Sequence, residues 1–161
     1  METLLLSDHC PDDIQRAGDI LRRGGLVAIP TETVYGLAAN ALDGEAVKKI
    51  YQAKGRPSDN PLIVHISRFS QLAPLVREVP ESAQKLAAAF WPGPLTIILP
   101  KSDVIPRQTS GGLDTVAVRC PSHPTARAVI DAAGVPLAAP SANLSGKPSP
   151  CLLSTSPSPR D

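Results

Sequence analysis

The stretch from residue 115 to 139, TVAVRCPSHPTARAVIDAAGVPLAA, decides the fold class. Thr115–Arg119 reads as a strand. Pro124–Ala133 reads as a helix, with Pro at its start and Gly134 just past its end. Leu137–Ala139 is a last short strand. The same alternation runs upstream. Residues 12–23 place Ile14, Ala17, Ile20 and Leu21 at helical spacing, and Gly24-Gly25 ends that helix. Leu26–Ile29 is a short apolar strand before Pro30. Asp43 can cap a second helix that buries Ala46, Val47, Ile50 and Tyr51 and runs to about Lys54. A strand over residues 62–66 follows Pro61. A short helix is expected over residues 69–76, and another from Glu81 to Phe90. Trp91-Pro92-Gly93-Pro94 must break it. Residues 95–99 then read as a fully buried strand. Helices alternating with strands predict one α/β-type domain with a mostly buried sheet and no internal repeat.

Composition narrows the function. The 161 residues are 42% apolar and 19% charged, which suits a globular domain. The net charge of +1 argues against a strong, purely electrostatic nucleic-acid binder. One Trp, two Tyr and two Phe are too few for a base-stacking platform. The 18 prolines are about twice the usual share of roughly 5%. Cys10, Cys120 and Cys151 have no zinc-ligand spacing and form no disulfide framework, which suits a reducing cytosol. No apolar run approaches the ~18 residues of a membrane span. The amino terminus lacks the basic lead of a signal peptide, so a soluble cytoplasmic protein is expected.

Four clusters could carry chemistry. Pro30 to Leu37, with Thr31, Thr33 and Tyr35, follows a strand end, where α/β folds place ligand sites; it reads equally as a capped turn. Lys54, Arg56 and Asn60 suit a polyphosphate, or form a solvated basic helix end. Ser110-Gly111-Gly112-Leu113-Asp114-Thr115 leads into a strand ending at Arg119, which needs a carboxylate, a phosphate or water. Ser141 and Asn143 can point to one side of an extended segment, or cap a turn. His65, inside Leu62–Ile66, is either a satisfied core residue or a hydrogen-bonding group for a small substrate. His123 reads as a surface turn residue. No Walker loop, dinucleotide fingerprint, zinc-protease motif or nucleophile elbow is present.

In order along the chain, PTETVYGLAANA, KGRPSDNPLIVHI, WPGPLTIIL, LDTVAVRCPSHP and APSANLSGKPSP resemble the YrdC-type threonylcarbamoyl-AMP synthase family. The resemblance runs from about Gly24 to Pro150. It implies a twisted mixed, largely parallel sheet flanked by helices, an α/β fold classed as α+β in some schemes. It implies an enzyme that makes threonylcarbamoyl-AMP and pyrophosphate from L-threonine, bicarbonate and ATP. ATP is then a substrate, Mg2+ is expected with it, and there is no organic cofactor. Partner proteins pass the threonylcarbamoyl group to tRNA. The family's K-x-R…S-x-N signature falls on Lys54, Arg56, Ser141 and Asn143, the catalytic set. Thr33, His65, Arg119 and the backbone around Ala139 are the implied threonine pocket. Arg56, Asn60, Thr115, Ser141 and Ser149 are the implied ATP side, with Thr31 and Tyr35 in the same loop as Thr33. No protein metal ligand is assigned. Some family members bind double-stranded RNA, so a non-catalytic RNA-binding module is the alternative, although no membrane partner is implied.

The resemblance also divides the chain. Residues 1–150 are expected to be the domain, unfinished at its carboxyl end, because family members continue for some tens of residues past the S-x-N motif. Residues 151–161, CLLSTSPSPRD, have the composition of a disordered tail. They closely resemble CLLYTSPSPRD, the translation of a common transposase sequencing adapter, with Ser154 in place of Tyr. They are therefore expected to be non-native.

Overall fold

The computed structural model describes residues 11–30, 36–55 and 61–140. The elements alternate along the chain as α1 (Pro11–Arg22), β1 (Val27–Ile29), β2 (Gly36–Asn40), α2 (Gly44–Lys54), β3 (Ile63–His65), α3 (Glu81–Phe90), β4 (Thr96–Pro100), α4 (Arg107–Ser110), β5 (Thr115–Arg119), α5 (Pro124–Ala133) and β6 (Leu137–Ala138). The caps act as their sequences suggest. The Asp43 carboxylate accepts from the Glu45 and Ala46 amides at 3.0 and 3.3 Å. Gly55 takes a left-handed φ of 63° to end α2. His123, expected as a surface turn residue, is the N-cap of α5: its Nδ1 accepts from the Thr125 amide at 3.2 Å.

The strands form one sheet in the order β1-β2-β6-β3-β5-β4. The α/β class and the mixed sheet hold, but the balance within it differs from the expectation. Among the described residues only β3–β5 is parallel, while β1–β2, β2–β6, β3–β6 and β4–β5 are antiparallel. Alternation along the chain does not by itself dictate strand direction, because β3 inserts between β5 and β6. Two further corrections concern residues 69–76 and β4. The expected short helix is two 3-10 turns, Phe69–Gln71 and Ala73–Leu75. Pro74 lacks the amide that would carry a longer helix through. The expected buried strand is the edge strand β4, whose Ile98 is 64% exposed.

Two cores flank the sheet. On one face Val64, Ile97, Leu99, Val116 and Val118 pack with α2, α3 and the 3-10 turns. On the other, α1 and α5 cover Ile29, Ala38, Leu137 and Ala139, but only on the β1–β2–β6 side. The β3–β5–β4 part of that second face stays open, with Ile63 and Ile98 exposed. Among the described residues no helix is long and apolar enough to cross a membrane.

The close approach of α1 and α5 rests on Gly18, where a Cβ would lie 2.5 Å from the Ala132 carbonyl carbon. In an exposed helix Gly→Ala stabilises by about 1 kcal/mol. Here the sign reverses. Gly18→Ala is expected to cost about 1–3 kcal/mol through overpacking. Urea unfolding midpoints check this.

Candidate functional site

Side chains alternate across a strand, so register decides which residues share a face. His65 pairs with Arg119 across β3–β5, with Leu137 across β3–β6, and Arg119 pairs with Thr96 across β5–β4. The next row on the same face is Ile63, Ala117 and Ile98, and beyond it Thr115 stands opposite Pro100. The Ala139 amide donates to the Ile63 carbonyl at 3.2 Å, extending that second row towards β6. His65, Arg119, Thr115 and Ala139 therefore converge on one face, the face that α1 and α5 leave half open. Thr115 and Arg119 are four residues apart along β5, a separation of about 13 Å. That length accommodates two small ligands end to end.

His65 and Arg119 occupy the buried end of this face, at 2% and 8% exposure. The imidazole Nδ1 lies 3.2 Å from the Ile63 carbonyl. Burial pulls its pKa from 6.5 down to about 4, against the opposing pull of backbone hydrogen bonds at Ile63 and Leu137. The ring is neutral at pH 7. It sits beside Arg119 without adding a second positive charge. Arg119 is also lowered by burial, yet a guanidinium stays charged at neutral pH. Its Nε donates to the Gly93 carbonyl at 3.3 Å, and the Gly93 amide donates to the Cys120 carbonyl at 2.8 Å. The Trp91–Pro94 turn, read from sequence only as a helix breaker, thus buttresses Arg119. A side chain at Gly93 would place Cβ 2.6 Å from the Phe90 carbonyl oxygen. Nothing local in the sequence links Gly93 to Arg119, which lies 26 positions away. Cys120, next to Arg119, is buried, and burial chiefly raises its thiol pKa. It behaves as a packing residue.

Lys54 is buried at the end of α2, against the opposite core. The described contacts do not bring it to His65 or Arg119. Thr31, Thr33, Tyr35, Arg56, Asn60, Ser141, Asn143 and Ser149 lie outside the described residues, as do Cys10 and residues 151–161. The residues that flank these segments do stand together. Leu37 donates its amide to the Pro140 carbonyl at 2.8 Å, and Ala139 bonds Ile63. Strands β2 and β3 begin, and β6 ends, at the same end of the sheet, beside Thr115. A Cβ at Gly36 would reach the Pro140 oxygen and the Ala139 methyl at 3.4 Å, so this junction is close-packed. Among the described residues no three His, Cys, Asp or Glu side chains gather where they could hold a metal ion.

Comparisons with known proteins agree with this architecture. A Sua5/YciO/YrdC family model, described as telomere recombination, matches residues 19–155. The chain is 63% identical over 137 residues to a threonylcarbamoyl-AMP synthase of Pyrococcus abyssi, covering 85% of this chain and 40% of that protein. It is 60% identical over 146 residues to a threonylcarbamoyl-AMP synthase of Bacillus subtilis, covering 90% of this chain and 42% of that protein. The crystal structure of P. abyssi Sua5 complexed with L-threonine superposes with a TM-score of 0.86 at 61% identity, over 88% of this chain and 42% of that one. The chain thus spans about two fifths of the length of these relatives.

The buried imidazole has a consequence for stability. Above about pH 6.5 it is neutral in both folded and unfolded chains. Below that, the unfolded chain takes up the proton first, so stability falls until the folded ring titrates at about 4. The full gap corresponds to about 3 kcal/mol. His65→Gln should flatten the dependence of unfolding free energy on pH between 6.5 and 4, measured by urea titration at each pH. A slope identical to that of the unaltered chain would contradict the assignment.

Proposed function

The chain belongs to the Sua5/YciO/YrdC family, and from that premise we propose that it forms threonylcarbamoyl-AMP from L-threonine, bicarbonate and ATP. The observation that carries the reading is the His65–Arg119 pair, buried at one end of an open sheet face, in a chain so similar to proteins bearing that enzyme name.

The reaction asks for positioning and charge control rather than a covalent nucleophile. The threonine amine and bicarbonate give an N-carboxylate and water. A carboxylate oxygen then attacks the α-phosphorus of ATP, the bond to the β-phosphate oxygen breaks, and pyrophosphate leaves. Arg119 holds the threonine carboxylate through its planar fork. Neutral His65 lines the same pocket, so one anion meets one cation. The Ala139 backbone and Thr33 complete the threonine side. Thr115, at the far end of β5, faces the nucleotide with Arg56, Asn60, Ser141 and Ser149. Lys54 and Asn143 support that side, and Thr31 and Tyr35 belong to the same loop as Thr33. Mg2+ is assigned to the phosphates of ATP, where it supplies charge neutralisation. Delivery of the product to tRNA falls to partner proteins.

The chain should release pyrophosphate from ATP only when L-threonine and bicarbonate are present. Threonine-independent release would count against the reading. So would salt-dependent tRNA binding in a gel shift without adenylate formation, which marks a non-catalytic RNA-binding module. Arg56→Ala should raise the KM for ATP about tenfold, the scale of one charge-assisted hydrogen bond to phosphate. Unchanged ATP kinetics would remove Arg56 from the nucleotide side.

A further inference from the structure

The segment that leaves β3, immediately after His65 and Ile66, is tied to α5 by a polar clamp that the reaction itself does not use. Ser67 is buried, and each of its polar groups is engaged. Its hydroxyl donates to the Asp131 carboxylate. Its amide donates to Gln71 Oε1 at 2.7 Å. Its carbonyl accepts from Arg127 Nη2 at 3.0 Å. Arg68 Nη2 donates to the same Asp131 oxygen at 3.3 Å. Asp131 and Arg127 lie four residues apart on α5, one turn of the same helix face. The helix on the threonine side of the sheet therefore grips β3 two residues beyond His65. Between the two points, the Ile66 amide donates to the Arg119 carbonyl at 2.9 Å. A shift of Ser67 is thus transmitted to the His65–Arg119 pair.

We propose that Asp131, acting through Ser67, is a positioning residue that holds His65 in register beside Arg119 and so sets affinity for the amino-acid substrate. The inference rests on the reading of His65 as part of the threonine pocket. The physical ground is the cost of a loosened grip: without Asp131, the Ser67 hydroxyl keeps only the 3.3 Å contact to Gln71 Oε1, and Arg68 loses its carboxylate, so the tie between β3 and α5 rests on Arg127 alone. Asp131 is half exposed and far from the open sheet face at Thr115, so its effect on the nucleotide should be small.

The test uses the full chain with Asp131→Ala, Ser67→Ala and Asp131→Asn. Asp131→Ala and Ser67→Ala should each raise the KM for L-threonine about tenfold, the range expected for one charge-assisted hydrogen bond. The kcat and the KM for ATP should stay within about twofold. Asp131→Asn keeps an acceptor for the Ser67 hydroxyl and should recover most of the loss. A lower Tm with an unaltered threonine KM, or an equal rise in both KM values, would overturn the proposal. A second readout is the pH titration of the His65 ring by NMR. Among the described residues, the charged group paired with that ring across the sheet is Arg119, which stays cationic throughout. In Ser67→Ala, the smallest change, the midpoint should move upward from about 4 towards 6.5 as the ring gains water. An unmoved midpoint would refute the clamp even in a chain that shows no synthase activity. An absence of threonine-dependent turnover in the unaltered chain, with a moved midpoint, would instead refute the functional reading alone.

Discussion

The parallel pairing of β3 with β5 is the constraint on which the rest of the site depends. It sets His65 against Arg119 at one end of the sheet and Ile63 against Ala117 nearer the other. Two short strands running the same way separate a charged end from a hydroxyl end along one face. Burial then gives those ends different electrostatics. The guanidinium is desolvated beside a ring that burial holds neutral, so of this pair only Arg119 carries charge at neutral pH. Had the ring kept an ordinary pKa, the pair would share two charges in part of the acidic range and repel each other.

The uneven covering of the sheet matters as much as the pairing. Helices α1 and α5 pack closely because Gly18 presents no side chain to Ala132, and together they seal the β1–β2–β6 half of the face. The β3–β5–β4 half is left with a floor of Ile63, Ala117 and Ile98. An apolar floor ending in a buried cation suits small ligands that carry both carbon surface and negative charge. Supports lie on three sides of the charged end: the Gly93 turn against Arg119, Ile66 against the Arg119 carbonyl, and the Ser67–Asp131 clamp behind His65.

Much of this was legible locally. The Asp43 cap, the Gly55 and Gly134 helix ends and the Pro124 helix start follow from residue chemistry at single positions, and each appears in the structure. The strand β2 was not legible, because GLAAN has neither a period-2 pattern nor β-branched residues. It is a strand because antiparallel neighbours on both sides supply its hydrogen bonds. The expected full burial of β4 failed for a related reason. TIILP is largely apolar, and Ile98 stands in solvent because α1 and α5 leave its half of the sheet face uncovered.

The sequence by itself determined most of the element types, the α/β class and the residue chemistry of the candidate site, because helix caps, breakers and short apolar runs are local properties. The ordered motifs also named the family. Only the tertiary structure decided which of those residues share a face. That depends on strand order and direction, which arise from pairings between segments tens of residues apart. His65 and Arg119 are 54 positions apart in the chain and side by side in the sheet. Gly93, Ser67 and Asp131 have no mark in the sequence, since their part is to hold other residues in place, and that exists only once the chain has folded.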